Sequence, residues 1–473
     1  MNLPADFILS TRSLLGEETE KFLSALAEDA PVSIRVNPFK KLRNPMVFRF
    51  SAERVPWSEW GFYLNERPPF TFDPLFHSGY YYVQEASSMF AEQVIRQLLT
   101  APVTCLDLCA APGGKSLGLL SALPEGSLLV SNEIIRQRAN ILSETLIKFG
   151  HPNTVVTNNS PRDFTAFPNF FDLVLVDAPC SGEGMFRKDK TAVEEWSSQN
   201  VQMCTARQKD ILQDVWAALK PGGLLIYSTC TFNKAENEEN ALWVSRELRA
   251  EFVKVVRDQS WGIAGSFDRE VEGCRFFPHK AKGEGLFMTV LRKSSSATPL
   301  AFNPMRKSPK KEVIPAKTDR EYESWLNQVH RFDFIESGNR IAALPLAHAE
   351  AIRFLSRRLK VITMGIEIGE KKGKDFIPSH ALAMSQELNH KAFFQYEVSY
   401  RQALAYLRRE IITLDDAPKG FVLLTWQGEP LGFVKNIGNR ANNLYPGEWR
   451  IRSGYLPEKQ PEIFSLKSFS SGS

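Results

Sequence analysis

The 473-residue chain contains few cysteines, and none of them forms a Cys-x-x-Cys pair. The six cysteines are Cys105, Cys109, Cys180, Cys204, Cys230 and Cys274. So few cysteines in so long a chain exclude a disulfide scaffold, and the absence of close pairs argues against structural zinc. Reduced thiols are the default in a cytosol, so this pattern favours a cytoplasmic protein without a metal site.

The chain also lacks long apolar runs, and its first residues do not have the pattern of a secretory leader. No stretch approaches the roughly 18 apolar residues that cross a bilayer. Residues 1–10 show no basic start followed by an apolar run, so we expect neither a leader nor a membrane segment. Hydrophobic residues at 43% and charged residues at 24% are ordinary for globular proteins. The net charge of +4 permits a polyanionic partner without requiring one.

Composition and periodicity divide the chain into four parts. The predicted parts are residues 1–100, 101–293, 294–317 and 318–473. The first resembles a small α+β domain, in which Tyr80, Tyr81 and Tyr82 either stack on bases or, more commonly for such a run, pack within a strand. The third is rich in Ser, Pro and basic residues, which predicts an exposed linker. The last ends in a segment dense in Asn, Arg and Trp, 436–452, which suits a β-rich module that binds a polyanion.

The second part shows the alternation of strands and helices that builds a doubly wound parallel sheet. We expect one edge strand at 286–291, and further strands at 103–108, 127–131, 154–157, 171–176 and 224–228. The stretch 171–177 (FDLVLVD) is apolar at successive positions, so it belongs in the middle of the sheet. Ligands of open α/β sheets bind beyond the carboxyl ends of the strands. Asp177 and Cys180 lie there.

The loop after the first of these strands indicates the class of ligand. Its end, 113–116 (GGKS), is like that of a phosphate-binding P-loop, so an NTPase is the main alternative. That motif requires a glycine where this chain has Cys109, and Pro112 lacks the backbone N–H that would bind phosphate. Glu133 ends the second strand, where an acid accepts hydrogen bonds from ribose hydroxyls. S-adenosylmethionine, which contains an adenosine and no phosphate, therefore suits this edge better than NAD does.

Two cysteines follow neighbouring predicted strands at the same edge of the sheet. Cys180 comes after the strand at 171–176 and Cys230 after the strand at 224–228, so we expect both sulfurs in one cleft. Methylation at carbon 5 of a pyrimidine needs a thiolate as well as a methyl donor, because sulfur addition at carbon 6 makes carbon 5 nucleophilic. Asp177 is suited to hydrogen-bond ring nitrogen 3 and stabilise the developing charge. These residues alone do not decide which cysteine attacks.

The chain resembles the Sun-type RNA (cytosine-5)-methyltransferases in the order and spacing of its motifs. The motifs are 107–116 (DLCAAPGGKS), 176–182 (VDAPCSG), 227–232 (YSTCTF) and 236–238 (ENE). Two segments resemble the amino-terminal RNA-binding extension of that family, 35–38 (RVNP) and 82–85 (YVQE). Two others resemble the PUA-like domain of its RsmF branch, 432–435 (GFVK) and 443–446 (NLYP). The resemblance covers nearly the whole chain.

The resemblance implies a class I methyltransferase core between an N-terminal RNA-binding extension and a C-terminal PUA-like domain. It implies that Cys230 is the nucleophile and that Cys180 assists product release. It also implies S-adenosylmethionine bound by Cys109, Ala110, Ala111, Pro112, Gly113, Gly114, Lys115, Glu133 and Asp177. Members of the RsmF branch often carry an acid after the third strand, where this chain has Ser160, which we expect near the adenine.

The implied substrate is a structured RNA, most simply ribosomal RNA of the small subunit, with tRNA as an alternative. A cytosine at a loop or junction costs less to extrude from its stack than one within a helix. We expect a monomer. Besides the NTPase, the remaining alternative is a catalytically inactive RNA-binding factor that assists ribosome assembly.

Overall fold

Among the residues that the structure describes, the largest sheet has ten strands. A computed structural model describes residues 3–41, 46–48, 52–295, 314–315, 321–457, 460–461 and 463–466. Five strands in the middle of the large sheet are parallel. In spatial order they are Leu219–Thr229, Phe171–Asp177, Thr104–Asp107, Leu128–Asn132 and Thr154–Thr157. All five coincide with predicted strands, and the α/β fold class is confirmed.

Antiparallel strands extend both sides of the parallel strands. On one side they are Leu286–Lys293, Gly273–Phe276, Ala264–Gly265 and the short Ala250–Phe252. The prediction of an edge strand at 286–291 is wrong, because Gly273–Phe276 pairs with the outer side of that strand. The other side of the sheet ends with Val361–Met364, which pairs with Thr154–Thr157. The sheet is therefore parallel only in its middle.

Helices cover both faces of the parallel strands, as the doubly wound pattern predicts. The main ones are Gly114–Ala122, Arg136–Phe149, Ser198–Trp216 and Glu238–Glu247, with the short Lys190–Glu195 nearby in sequence. Leu173 and Leu175 pack in one hydrophobic core, and Val174 and Val176 pack in a second core, all without exposed surface. A strand that is buried on both faces carries apolar residues at every position, which explains why this segment lacks alternation.

The amino-terminal part contains a four-stranded antiparallel sheet. Its strands, in spatial order, are Ala52–Arg54, Gly61–Leu64, Val32–Val36 and Tyr81–Val83. Its described helices are Ala5–Leu15, Thr19–Leu26, Pro38–Lys41, Pro74–His77 and Ala91–Leu98. Tyr80 and Tyr81 are 0% and 2% exposed, so their rings pack inside the protein and are not presented to bases. The packed alternative is confirmed for these two tyrosines.

The carboxyl-terminal part contains two further sheets. The strands of the first are Ile314–Pro315, Phe332–Ser337, Arg340–Pro345, Ile366–Lys372 and Asp375–Pro378. The strands of the second are Phe394–Glu397, Gly420–Trp426, Glu429–Asn436 and Ala441–Asn443. The described helices of this part are Ala349–Ser356, His380–Met384 and Tyr400–Leu407. Within the predicted polyanion-binding segment, Arg440, Arg450 and Arg452 are exposed.

Hydrogen bonds join the parts of the chain to one another. The side-chain amide of Asn37 donates to the carbonyl oxygen of Phe149 at 2.9 Å, which fastens the amino-terminal sheet to the core. Met46–Phe48 pairs with Phe464–Leu466 near the other end of the chain. Most of the predicted linker, 294–317, lies outside the described residues, and the four-part division stays a prediction. Within the described ranges, no helix is long and apolar enough to cross a membrane.

Candidate active site

The carboxyl ends of the parallel strands bring the predicted site residues to one edge of the sheet. Asp177 ends its strand beside Ser228, which is its partner in the parallel register. Cys180 and Cys230 follow these two residues by three and two positions. Glu133 follows the end of a third strand at the same edge. Because the parallel strands end at the same edge, residues from three distant stretches of sequence lie together in one site.

The two predicted cysteines are in direct contact. The sulfur atoms of Cys180 and Cys230 lie 3.1 Å apart, and both thiols are free. The backbone N–H of Cys230 also donates to the Cys180 sulfur at 3.3 Å. Hydrogen bonding with Cys230, together with desolvation, raises the pKa of the Cys180 thiol well above its ordinary value. The contact with Cys230 and burial therefore favour the neutral form of the Cys180 thiol.

Two hydrogen bonds fix the carboxylate of Asp177. One oxygen accepts from Lys115 Nζ at 2.8 Å, and the other accepts from Ser228 Oγ at 2.7 Å. Burial alone would lower the pKa of Lys115, but the Asp177 carboxylate outweighs burial and raises that pKa above its ordinary value. Lys115 therefore stays cationic. The Asp177 side chain is still 30% exposed, so it can meet a ligand while its position is held.

Glu133 is bound to the start of the helix that follows it and, through an arginine, to the loop after the first strand. Its carboxylate accepts from the backbone N–H of Ile135 at 2.9 Å and pairs with Arg138 at 3.2 Å. Arg138 also donates to the carbonyl oxygen of Ala111 at 2.8 Å. Arg138 was not predicted as a site residue, although its position on the helix that follows Glu133 is a signal in the sequence.

Backbone contacts hold the loop 109–115 against its neighbours. The N–H of Ala110 donates to the carbonyl oxygen of Asn132 at 2.8 Å, and the carbonyl oxygen of Pro112 accepts from Thr145 Oγ1 at 2.9 Å. Gly113 has a φ of 120°, and a Cβ atom at this position would lie 2.7 Å from the Thr145 side chain. Only glycine fits this close approach.

The ends of the same loop have different surroundings. Gly114 begins the helix Gly114–Ala122, and Lys115 extends from its first turn to Asp177. Cys109, at the start of the loop, packs against one of the two hydrophobic cores. Burial raises the pKa of the Cys109 thiol, so this cysteine has the character of a packing residue and not of a nucleophile.

Ser160 lies in the loop that follows the last parallel strand. Its backbone N–H donates to the carboxylate of Asp163 at 3.0 Å, and the Asn159 side chain donates to the same carboxylate at 3.1 Å. The Asn132 side chain donates to the carbonyl oxygen of Asn159 at 3.0 Å, which ties this loop to the neighbouring strand end. An acid is thus present three residues after Ser160, where it fixes the loop. A contact between Ser160 and a cofactor stays a prediction.

Two buried glutamates that were not predicted as site residues lie beside the cysteines. The Glu183 carboxylate accepts from the backbone N–H groups of Phe232 and Asn233 at 2.7 and 3.0 Å. The Glu236 carboxylate accepts from the backbone N–H of Ser181 at 3.0 Å. Glu236 belongs to the ENE motif and Glu183 directly follows the VDAPCSG motif, so their positions were the available signal.

Asp107 supports the loop 109–115 from the end of its strand and leads to a prediction on pH. One oxygen accepts from Ser116 Oγ at 2.7 Å, and the other is buried without a partner. Burial raises the pKa of Asp107 from 3.8 to about 7. At pH values between 3.8 and about 7, Asp107 is ionised in the unfolded chain but protonated in the folded chain. We therefore expect stability to fall as pH rises through this window, by up to about 1.4 kcal/mol per pH unit.

Asp107→Asn is expected to remove this contribution, because the amide does not ionise in either state. The measurement is the urea unfolding free energy between about pH 4.5 and about pH 7.5. Other buried groups also titrate, so the informative quantity is the difference between the variant and the wild type. Asp210→Asn, at an exposed position, is the control and should leave the slope unchanged. Equal slopes for the wild type and Asp107→Asn would contradict the prediction.

The donors and acceptors at this edge fit an adenosine-containing cofactor without phosphates. The contacts of Glu133 use one lone pair on each oxygen, and a carboxylate has further lone pairs for two ribose hydroxyls. A phosphate cradle needs several free backbone N–H groups. Here the N–H of Ala110 is already bonded to Asn132, and Pro112 has none. The residues therefore fit S-adenosylmethionine better than a nucleotide.

Comparison with known proteins gives the family. Residues 99–292 match the profile described as "16S rRNA methyltransferase RsmB/F". Residues 3–86 match "N-terminal domain of 16S rRNA methyltransferase RsmF", and residues 393–451 match "Methyltransferase RsmF PUA domain". The chain is 32% identical to ribosomal RNA small subunit methyltransferase F of Pectobacterium atrosepticum, over 96% of each chain. This chain belongs to the RsmF family.

Further relatives agree with this assignment. Ribosomal RNA small subunit methyltransferase F of Salmonella agona is 31% identical over 92% of this chain and 94% of its own. A methyltransferase homolog protein from Pyrococcus horikoshii is 26% identical, with a TM-score of 0.52 over 61% of this chain and 94% of that chain. NSun6 from Pyrococcus horikoshii, solved with SFG, has a TM-score of 0.52 over 61% of this chain and 98% of its own, at 19% identity, which indicates a shared fold.

Several predictions made from the sequence can be checked against the family to which the chain belongs. The methyltransferase core, the C-terminal PUA domain and S-adenosylmethionine as the cofactor are confirmed. The PUA profile covers the four-stranded sheet from Phe394–Glu397 to Ala441–Asn443. The NTPase alternative is wrong, since the chain belongs to a methyltransferase family.

Proposed function

We propose that the chain methylates carbon 5 of a cytosine in small-subunit ribosomal RNA through a covalent bond between a cysteine and carbon 6. The observation that carries this proposal is the pair of free thiols, Cys180 and Cys230, 3.1 Å apart at the edge where Lys115 holds Asp177. Methylation of an oxygen or nitrogen atom needs no sulfur nucleophile, whereas carbon 5 of a pyrimidine must first be activated. The names of the relatives support the choice of RNA.

In the proposed mechanism Cys230 is the nucleophile. Its sulfur bonds to carbon 6, and electron density moves to carbon 5. As the adduct forms, ring nitrogen 3 takes up a proton from water, which cancels the negative charge on the ring, and the Asp177 carboxylate accepts the hydrogen bond from that N–H. S-adenosylmethionine supplies an electrophilic methyl group when it is bound. Carbon 5 attacks this methyl group, and a base then takes the carbon-5 proton. The electron pair of that C–H bond restores the double bond between carbons 5 and 6 while Cys230 leaves as a thiolate, and we assign Cys180 to this release step.

The contact between the two sulfur atoms supports a division of roles between the two cysteines. Cys180 lies against the Cys230 sulfur, and this position is suited to a group that acts when the carbon–sulfur bond breaks. Both residues are partly exposed, so an extruded base can reach them.

We infer that the cofactor lies along the edge formed by the loop 109–115, Glu133, Ser160 and Asp177. Glu133 accepts hydrogen bonds from the ribose, Ser160 lies near the adenine, and the fixed carboxylate of Asp177 lies between the cofactor and the target base. The contacts of Arg138 with Glu133 and with the loop support this arrangement, because they join two of these elements.

We infer that the carboxyl-terminal PUA domain binds the RNA outside the target base. Arg440 and Arg450 are exposed there, with Arg452 directly after the domain, and these side chains can contact phosphates. Binding should therefore weaken as salt concentration rises, because phosphate contacts release counterions. A monomeric state and a cytoplasmic location stay predictions.

The reaction product tests the proposal most directly. The chain is incubated with S-adenosylmethionine carrying a labelled methyl group and, in separate reactions, small-subunit ribosomal RNA, isolated small subunits and tRNA. Nucleoside analysis should give 5-methylcytidine in ribosomal RNA or in small subunits. Label in another nucleoside would overturn the cytosine assignment, and label only in tRNA would overturn the choice of RNA.

Asp177→Asn tests the contact proposed for ring nitrogen 3. The amide has no negative charge and is a weaker acceptor for the N–H of ring nitrogen 3, so we expect kcat to fall by about 10²- to 10³-fold, as for other groups that stabilise the transition state. Asp172→Asn is the matched control, since Asp172 lies at the opposite end of the same strand and also pairs with a lysine, Lys220, at 2.6 Å. Equal activity in the two variants would contradict this role for Asp177.

A further inference from the structure

Buried side chains connect the two loops that carry the cysteines. Glu183 follows Cys180 by three residues and is only 2% exposed. One of its oxygens accepts from the backbone N–H groups of Phe232 and Asn233 at 2.7 and 3.0 Å. These residues lie two and three positions after Cys230. Its other oxygen accepts from Trp196 Nε1 at 3.0 Å. A residue of the first loop thus fixes the backbone of the second.

A second carboxylate makes the reverse connection. Glu236 follows Cys230 by six residues and has no exposed surface. One oxygen accepts from the backbone N–H of Ser181, the residue after Cys180, at 3.0 Å, and from Gln208 Nε2 at 2.7 Å. Each cysteine loop is therefore bound by a glutamate that belongs to the other loop.

Asn233 joins the two carboxylates. Its side-chain amide nitrogen lies 3.1 Å from Glu183 Oε1 and 2.8 Å from Glu236 Oε1, and it donates to both. Its side-chain oxygen accepts from the backbone N–H of Glu236 at 2.9 Å. We call Glu183, Glu236 and Asn233 the glutamate clamp.

The backbones of the two loops also touch. The N–H of Gly184 donates to the carbonyl oxygen of Cys230 at 2.8 Å. A Cβ atom on residue 184 would lie 2.9 Å from that oxygen, so a side chain there would push the two loops apart. The close approach of the sulfur atoms thus coincides with a close approach of the chains that carry them.

We propose that Glu183 and Glu236 are positioning residues that fix the separation of the Cys180 and Cys230 sulfur atoms. For catalysis this inference rests on the proposed function, since it assigns the two sulfurs to attack and release on one base. A base bonded to Cys230 then stays within reach of Cys180 without movement of either loop. Misplacement of a reacting group by about 1 Å costs about 10²-fold in rate.

The chemistry of the contacts explains why carboxylates are needed. Every hydrogen bond to Glu183 and Glu236 given above comes from an N–H donor. A glutamine at position 183 would turn its NH₂ group toward two donors in either orientation of the amide. We therefore expect Glu183→Gln and Glu236→Gln to loosen the loops while they keep the size of the side chain.

Oxidative cross-linking measures the separation of the sulfur atoms without RNA or cofactor. Diamide takes two electrons and two protons from the two thiols; a sulfur–sulfur bond forms, and the N=N bond of the reagent is reduced to the hydrazine. Wild type should cross-link Cys180 to Cys230 rapidly. Glu183→Gln and Glu236→Gln should react at least about tenfold more slowly, because thiol–disulfide chemistry depends on access between sulfurs.

Steady-state kinetics gives the second readout. With small-subunit RNA that the wild type methylates, we expect both variants to lower kcat by about 10- to 100-fold. The KM for RNA should change by less than about twofold, because neither carboxylate is exposed to RNA. A residue that merely stabilised the fold would change the amount of active enzyme without slowing cross-linking in the folded fraction.

Glu92→Gln is the control for a general loss of stability. Glu92 is likewise fully buried and hydrogen-bonded, but it pairs with Arg35 and lies outside the clamp. All variants are assayed at a temperature at which circular dichroism shows them folded. The control should cross-link at the wild-type rate. If a glutamate variant does not fold, Asn233→Ala removes the donor shared by both carboxylates and is expected to have the same effects.

The outcomes separate this inference from the proposed function. Slower cross-linking together with a lower kcat supports the clamp. Wild-type cross-linking rates in the clamp variants, or an unchanged kcat in them, would overturn it. If the wild type methylates no RNA, the proposed function fails, and the cross-linking rates alone decide whether the carboxylates set the sulfur separation.

Discussion

The Cys230→Ala variant is expected to lose at least about 10³-fold in methyl transfer and to form no denaturant-resistant adduct with RNA. The reason is that the sulfur proposed to bond to carbon 6 is absent. Cys180→Ala is expected to accumulate the adduct, because attack by Cys230 continues while release is slowed. A denaturing gel with small-subunit RNA and S-adenosylmethionine measures the adduct, and labelled methyl groups measure turnover.

Cys204→Ala is the matched control for this pair of variants. Cys204 is also free, but it lies on the helix Ser198–Trp216 and does not touch the sulfur pair in the described contacts. We expect wild-type turnover and no stable adduct. An adduct that accumulates in Cys230→Ala and is absent in Cys180→Ala would reverse the two roles. No adduct and no methyl transfer in any of the proteins would favour the inactive RNA-binding alternative.

The sequence predicts that the candidate site residues lie together at one edge of the parallel sheet, because the strands that end there have local sequence patterns. Apolar runs locate the parallel strands, and parallel strands end on the same side of a sheet. Asp177, Cys180, Cys230 and Glu133 each follow such a run, so their proximity required no knowledge of tertiary contacts. The same argument predicts that Ser228 lies beside Asp177 once the register of the two strands is known.

The glutamate clamp could not be predicted in this way. Its main contacts are to backbone N–H groups of loops, and the direction of an N–H group depends on loop conformation and not on residue type. Glu183 is 50 residues from Asn233 in sequence. The strand Val361–Met364, which joins the far edge of the core sheet, was missed for a related reason, since a partner strand in another part of the chain leaves no periodic signal.

Arg35 shows how a charged residue in a presumed RNA-binding region can have a different role. It belongs to the segment 35–38 that resembles the RNA-binding extension, yet its side chain has no exposed surface. Its guanidinium donates to Gln84 Oε1 at 2.7 Å and pairs with the buried carboxylate of Glu92 at 2.5 Å. A Cβ atom on Gly118 would lie 3.2 Å from it, so Arg35 also packs against the core helix. We infer that Arg35 packs between the amino-terminal part and the helix Gly114–Ala122 and does not contact RNA.

Glu92→Gln is therefore expected to lower the unfolding free energy by about 3 to 5 kcal/mol, because the guanidinium stays buried without its counter-charge. Arg35→Met in the same chain should recover part of this loss, since it removes the unpaired cation. Urea unfolding of the two single variants and the double variant measures this coupling.

At a temperature where all are folded, their affinity for RNA should equal that of the wild type. A large loss of RNA affinity in Arg35→Met without a loss of stability would show that the guanidinium binds RNA. Equal stabilities of the double variant and Glu92→Gln would show that the two charges are not coupled.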